Sequence, residues 1–398
     1  MSIASPSTAV SNSADVVIAG GAVVGGAVAC FLRKLGFAGR VVVIERDTTY
    51  AQSATARSAG GIRTQFSTPE NIRLSRASLA IIRELGFRDE VGFREQGYLI
   101  LASETGRATL AANVATQRRE GADVVMEEPA ALAARFPWLS TDGIAAGAFG
   151  RSGEGWIDPS SLMSALRRES RAMGVEFVTG EVCGIDVVGG GRIDAVRLTN
   201  GDRIVCGRLV NATGPHAGAL AHMAGVALPV EPRKRYVYVV DCRDLPRRIA
   251  DAPLTVDPSG VWFRPEGRTF ICGRSPDAAQ EPADLDLDRI DHDFFDTEIW
   301  PHLAARVPAF EAIKVINAWA GHYDYNTLDQ NGIIGRHPEL ANFYLCNGFS
   351  GHGLQQAPAA GRAIAELIVH GRFVTLELTR LGFERIARGE ALAEQNVI

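Results

Sequence analysis

At 398 residues the chain is too long for one small module, and the length predicts two or three domains. Hydrophobic residues at 46% and charged residues at 22% exclude wholesale disorder. Forty-one basic and forty-six acidic side chains leave a formal net charge of -5, which argues against a binder that works by neutralising nucleic-acid phosphates.

Six cysteines are scattered without a CxxC pair: Cys30, Cys183, Cys206, Cys242, Cys272 and Cys346. They form no zinc or iron–sulfur spacing, so no metal is expected, and a reducing, cytoplasmic compartment is the simplest expectation. Residues 1–14 are rich in Ser and Ala and read as a loose tail. Val16–Leu32 is apolar but only 17 residues long, with four glycines. That is short for a membrane span, and it reads as strand, glycine turn and helix.

Asp15–Ala19 has the composition of a buried parallel strand. The turn Gly20-Gly21-Ala22-Val23-Val24-Gly25 follows, then a helix from Gly26 to Leu35 stopped by Gly36. A second strand, Val41–Ile44, is closed by Glu45, which stands 25 residues after Gly20. This is a βαβ unit with a dinucleotide fingerprint. Gly20 serves the tight turn and Gly25 serves helix–strand packing. The helix N-terminus faces a pyrophosphate, and Glu45 accepts from ribose hydroxyls, which favours FAD or NAD over NADP. Ala22 departs from the fingerprint, because a glycine is expected there.

Three further segments favour a flavin over a nicotinamide. Ser53 to Arg63 is a loop of small residues suited to a flat ring. Leu209–Gly214 is a strand entering a tight turn. Phe343–Cys346 is a strand leading into Gly348–Gln356 and a helix from about Pro358 to Val369. Its dipole can stabilise negative charge on a reduced ring. Between these segments lie strand-like runs at Tyr98–Leu101, Tyr236–Val240, Val261–Arg264 and Thr269–Cys272. Trp156–Pro159 and a helix from Ser160 to Met173 return the chain to the nucleotide unit.

Three long strings carry a resemblance: Pro232 to Tyr238, Ala318 to Thr327 and Gly348 to Pro358. With the segments above, they resemble the D-amino-acid oxidase family of flavoproteins, which includes glycine oxidase, sarcosine oxidase and dimethylglycine dehydrogenase. The resemblance is strongest to a mitochondrial branch of FAD-dependent oxidoreductase-domain proteins and its bacterial relatives. It implies an α/β fold, α+β overall. A Rossmann-like FAD-binding domain would take residues 15–78, 154–225 and 316–375. An interleaved antiparallel-sheet substrate domain would take 79–153 and 226–315, with an extension at 376–398.

The resemblance implies FAD in an extended pose. Glu45 and Arg46 would hold the adenosine end with Val182. Ser58, Ala59, Gly60, Gly61 and Ile62 would approach the ring. So would Gly351, while Ala212, Thr213 and Gly214, and Gly348, Ser350, His352, Gly353, Leu354 and Gln355, would be further FAD-binding residues. The positions of covalent attachment in relatives fall near Ser58 and near Gly321 or His322, so non-covalent FAD is expected.

The implied reaction is hydride transfer from a carbon next to nitrogen to flavin N5, giving an imine that hydrolyses. His322, Tyr323 and His352 are the catalytic candidates. Arg63, Arg264 and Arg274 are candidates for a substrate carboxylate, and Tyr236, Tyr238 and Tyr325 for the amine. Lysines occur only at 34, 234 and 314. Two that sarcosine oxidase uses would fall near Ile271 and at Gln355. With no buried cation expected by the ring, the reading is a dehydrogenase that passes electrons to a quinone or electron-transfer protein. Oxidation of a 2-hydroxy acid, or an assembly role without turnover, are the competing readings.

Overall fold

The computed structural model describes residues 13–395. Most of the expected tail lies outside them, and Ser13 and Ala14 open the first strand, Ser13–Ala19. That strand alternates little because both faces are covered: Val16, Val17 and Ile18 are fully buried. It pairs in parallel with Val41–Glu45 on one side and Arg203–Asn211 on the other. Glu176–Thr179 extends the sheet beyond Val41–Glu45, and Phe343–Asn347 extends it beyond Arg203–Asn211. The five parallel strands therefore reverse their order at Ser13–Ala19, and that reversal opens a crevice at the strands' C-terminal ends. An antiparallel edge strand, Ile333–Arg336, and the hairpin Val182–Val188 with Arg192–Leu198 complete eight strands.

Helix Val23–Lys34 crosses helix Gly353–His370 through small residues. A Cβ on Gly361 would stand 2.5 Å from that of Ala27, so only glycine permits this approach. The second helix starts five residues before the expected Pro358, which sits inside it. The missing proline N–H costs one bond near the start, and burial of the helix outweighs it.

The second sheet also has eight strands, in the spatial order 313–326, 230–242, 269–273, 262–266, 254–256, 98–102, 146–150 and 124–127. Its pairs are antiparallel except Leu254–Val256 beside Tyr98–Ala102. Ile313–Asn326 pairs along its whole length with Val230–Cys242. Residues 316–326 therefore belong to this sheet, and not to the nucleotide unit where the sequence boundary puts them. One face of this sheet packs Tyr236, Tyr238, Phe263 and Phe270 under Phe294, Phe295 and Phe310. The other packs Val237, Trp262 and Ile271 with Tyr98 and Leu254 toward the first sheet.

Candidate active site

A cavity of about 360 Å³ runs from the crevice of the first sheet to the inner face of the second. At its first end the glycine turn is dictated by space. Gly20 has φ +93°, and a Cβ there would lie 2.4 Å from the Ala212 carbonyl oxygen. A Cβ on Gly25 would lie 1.8 Å from the Gly20 carbonyl oxygen. Ala22 has φ −71° and extended geometry, which alanine adopts freely, so the departure from the fingerprint carries no backbone strain. At the start of helix Val23–Lys34 the Val23 N–H donates to Thr55 Oγ1 (3.4 Å), and Ala22, Val23 and Val24 line the cavity. The first-turn N–H groups after Val23 and the helix dipole are available to an anion. Glu45 is held at the rim, accepting from the N–H of Gly21 (2.8 Å) and of Asp47 (3.0 Å). Arg46 and Val182 line the same end, with Thr213 and Gly214.

The other end is built by Gly348–Gly353. Ser350 has φ +51°, a conformation few non-glycine residues adopt. It is held by its neighbours: Asp324 Oδ2 accepts from the Phe349 N–H (3.0 Å), and the Asp324 carbonyl oxygen accepts from the Ser350 N–H (3.1 Å). Burial pushes the Asp324 carboxyl up to about 6. Gly351 has φ +96°, and a Cβ there would stand 2.5 Å from the Tyr323 ring. The loop feeds helix Gly353–His370, whose N-terminus has no side-chain cap among the described residues. Gly351, His352, Gly353, Leu354 and Gln355 line the cavity. Two helix N-termini thus open on one cavity, an arrangement suited to a ligand with negative charge at both ends.

Ser58, Ala59 and Gly61 also line the cavity. Gly21, Gly25, Gly60, Ile62, Ala212, Gly348 and Ser350 stand behind the lining. The Ser58 hydroxyl accepts from the Gly60 N–H (3.1 Å). Gly60, at φ +81°, would drive a Cβ to 2.3 Å from the Ile157 carbonyl oxygen.

Of the arginine candidates, Arg63 reaches the cavity and is 2% exposed. Its Nη1 donates to the Gln65 carbonyl oxygen (2.5 Å), Nη2 lies 3.1 Å from His352 Nε2, and the guanidinium stacks 4.1 Å from the Phe66 ring centre. Its backbone N–H donates to Gln355 Oε1 (2.8 Å). Desolvation, then the Arg63 charge, push the His352 imidazole down to about 3. His352 is therefore neutral and accepts from Arg63, so it orients the guanidinium and is not poised as a base. Because its folded value lies below the unfolded 6.5, the unfolded chain binds more protons between about pH 3 and 6.5. Stability is full above 6.5 and is lost as pH falls through that window. The urea-unfolding free energy of His352→Gln should fall less across this window than that of the parent; equal slopes would contradict the assignment.

Arg264, Tyr238 and Tyr325 lie outside the cavity lining, and Tyr236, Arg274 and His322 border it with their side chains engaged elsewhere. Arg264 spends its donors on Ala59 O (3.1 and 2.8 Å), Pro265 O (2.9 Å) and Glu266, and clamps the loop at 59. The Tyr238 hydroxyl donates to the Asp291 carbonyl oxygen, and its ring packs on Phe295 at 5.1 Å. Tyr236 borders the cavity, but its ring packs on Tyr238 and Phe294 in the core of the outer face. Tyr325 lies outside the lining, under the Arg233 guanidinium at 5.0 Å. Arg274 borders the cavity but is tied to Glu298 (2.6 Å), Asp277 (3.1 Å) and Ser259 O (3.1 Å). His322 lies opposite Lys234, on the face of Tyr236, with Nε2 2.9 Å from the Leu285 carbonyl oxygen. Desolvation lowers its pKa. Only Tyr323 and His352 of the catalytic candidates stand beside Arg63.

Sequence reasoning missed Tyr98, Arg235 and Trp262, all of which line the cavity. A Cβ on Gly61 would stand 1.9 Å from the Tyr98 hydroxyl, which explains the glycine. Burial raises the hydroxyl pKa of both Tyr98 and Tyr323, so each stays a protonated donor. Arg235 and Val237 share the strand face opposite Tyr236, so choosing the other phase of the two-residue period would have found Arg235.

Residues 15–367 match the family model "FAD dependent oxidoreductase" (DAO). The chain is 43% identical to FAD-dependent oxidoreductase domain-containing protein 1 of Bos taurus, over 96% of this chain and 87% of that protein. It is 27% identical to mitochondrial sarcosine dehydrogenase of Mus musculus, over 92% of this chain and 41% of that protein. Among solved structures, L-proline dehydrogenase from P. horikoshii superposes with a TM-score of 0.84 at 28% identity, over 96% of this chain and all (100%) of that one. The glycine turn closed by steric contact, the carboxylate at the rim and the two helix N-termini on one cavity fit FAD. The chain belongs to the DAO family of FAD-dependent oxidoreductases.

Proposed function

We propose that the protein oxidises the C–N bond of a small amino acid or N-alkylated amino acid. The observation that carries this reading is the far end of the cavity: a buried arginine, Arg63, fixed by a neutral histidine and flanked by the hydroxyls of Tyr98 and Tyr323. FAD, when bound, supplies the two-electron acceptor for the substrate's α-hydride. Ala22–Val24 would hold its pyrophosphate and Glu45 its ribose. The loop at Gly351 and the helix start at Gly353 would meet its ring.

The chain's own residues bind and orient. Tyr98 and Tyr323 donate to a carboxylate or carbonyl oxygen and do not ionise near neutral pH. No histidine of this end is a base, since His352 is committed to Arg63. The substrate amine must therefore arrive neutral, so kcat/KM should rise with pH along the deprotonation of the amine itself. The related L-proline dehydrogenase, sarcosine dehydrogenase and dimethylglycine dehydrogenase carry names of the same chemical class.

The case for a non-oxygen acceptor rested on the lack of a buried cation. Arg63 is such a cation, so that ground lapses, and its charge would favour superoxide formation at a nearby reduced ring. Turnover with oxygen as sole acceptor is the deciding assay.

Among the described residues no cysteine lines the cavity, and its histidines are engaged: His216 with Arg46 (2.7 Å), His322 with Leu285 O, and His352 with Arg63. This supports non-covalent FAD. Acid precipitation should leave the yellow colour in the supernatant; colour that stays with the pellet would contradict it. All six cysteines are free, which supports a reducing compartment such as the cytoplasm. Among the described residues no helix is long and apolar enough to cross a membrane.

A further inference from the structure

A guanidinium carries five N–H donors. Arg235 uses three of them. Nη1 donates to the Lys234 carbonyl oxygen (2.8 Å) and to Glu281 Oε2 (2.9 Å), and Nη2 donates to Glu281 Oε1 (2.7 Å). Nε is buried and has no hydrogen-bond partner among the described residues. The two hydrogens left over, on Nε and on Nη2, share one edge of the guanidinium plane. That edge is a two-pronged fork of the spacing a carboxylate takes.

The residue is 7% exposed, lines the cavity, and lies with its guanidinium 5.4 Å from the Tyr323 ring centre. Tyr323 feels the charges of both Arg235 and Arg63, so the two arginines flank it. Buried donors on charged groups are rarely left unpaired unless something completes them.

We propose that Arg235 receives the substrate's carboxylate on its Nε/Nη2 edge, with Glu281 as the positioning residue that holds the guanidinium in that orientation. The proposal rests on the amino-acid reading above and names the residue that enforces it. The substrate is an amine bearing a carboxylate, and simple alkyl amines are excluded. Lys234 and His322 serve the same arrangement from the other face of the sheet. They fasten the segment that carries Glu281, through the carbonyl oxygens of Asp286 and Leu285.

The test is binding of a non-oxidisable carboxylate, 2-furoate, against its neutral amide, to the FAD-loaded protein by calorimetry and flavin difference absorbance. The parent should prefer the carboxylate. Arg235→Lys keeps the charge but loses the fork and should weaken furoate binding by about 10-fold. Arg235→Leu combined with Glu281→Leu leaves no buried charge unpaired and should weaken it by about 100-fold. Amide affinity and FAD content should not change in either variant. Equal furoate affinity in all three proteins, or a parent that prefers the amide, would overturn the proposal. If amino acids bleach the flavin while furoate ignores Arg235, only this inference falls. If furoate binding depends on Arg235 but no amino acid bleaches the flavin, the carboxylate fork stands and the amino-acid reading falls.

Discussion

Gly25→Ala should purify without flavin, while Gly26→Ala, one residue along the same helix, should purify yellow. The added Cβ at 25 meets the Gly20 carbonyl oxygen at 1.8 Å, and the obstacle is backbone that cannot step aside. The strand–turn–helix junction must open, and the helix N-terminus leaves the position from which it would face a pyrophosphate. At 26 the added Cβ meets only Arg167 Cγ at 3.6 Å and Leu166 Cβ at 3.7 Å, which is ordinary contact. There the alanine should stabilise the helix by about 0.5–1 kcal/mol through reduced unfolded-chain entropy. Flavin absorbance per protein and a thermal melt of the two variants read both effects. Full flavin content in Gly25→Ala would contradict the steric argument.

The largest loss of stability is expected at Asp329, which stands outside the cavity lining. Its side chain is fully buried and pairs with Arg385 (Nε–Oδ2 2.7 Å, Nη2–Oδ1 3.2 Å). It also accepts from Asn326 Nδ2 (2.8 Å) and from the N–H of Asn331 (3.1 Å) and Leu392 (3.0 Å). Arg385 donates further to the carbonyl oxygens of Leu381, Gly382, Asn331 and Gly332. Asp329→Ala removes the only charge paired with this buried arginine among the described residues and should cost about 3–5 kcal/mol. It also frees the C-terminal segment, whose Glu394 accepts from the N–H of Ser67 (2.6 Å) and Thr68 (3.2 Å) at the start of helix Pro69–Glu84. Arg385→Leu combined with Asp329→Leu should recover much of the loss, because no lone charge is then buried. Chemical denaturation of the single and double variants gives the comparison; a single variant within about 1 kcal/mol of the parent would contradict it.

The nucleotide end was legible because it is local. Gly20, Gly25 and Glu45 lie within one βαβ unit, and their spacing alone fixes what a turn, a helix start and a strand end must do. The far end was only partly legible. Arg63, Tyr323 and His352 were named, but Tyr236, Tyr238 and Arg264 were drawn in with them. The strand Val230–Cys242 is buried on both faces, so its two-residue period cannot say which face meets the cavity. Arg235 and Tyr236 are adjacent and point to opposite sides, and the tyrosine carried the more familiar chemistry. Arg264 reads as a free cation until the fold brings the Ala59 carbonyl oxygen to it across 205 positions of sequence. The same distance effect hid the cap on helix Pro69–Glu84, because Glu394 arrives from more than three hundred residues away. The strand Ile313–Asn326 was split between domains for a related reason. Its sequence resembles part of the flavin site, yet backbone pairing with Val230–Cys242 decides its sheet.

The central claim is that this cavity oxidises an amine that carries a carboxylate. The direct measurement is anaerobic mixing of the FAD-loaded protein with N-methyl, D- and L-amino acids, matched alkyl amines and 2-hydroxy acids, while flavin absorbance is followed. The account predicts bleaching by one or more amino acids and none by the matched alkyl amines. Bleaching by 2-hydroxy acids alone, or a flavin that stays oxidised with the whole panel, would contradict it.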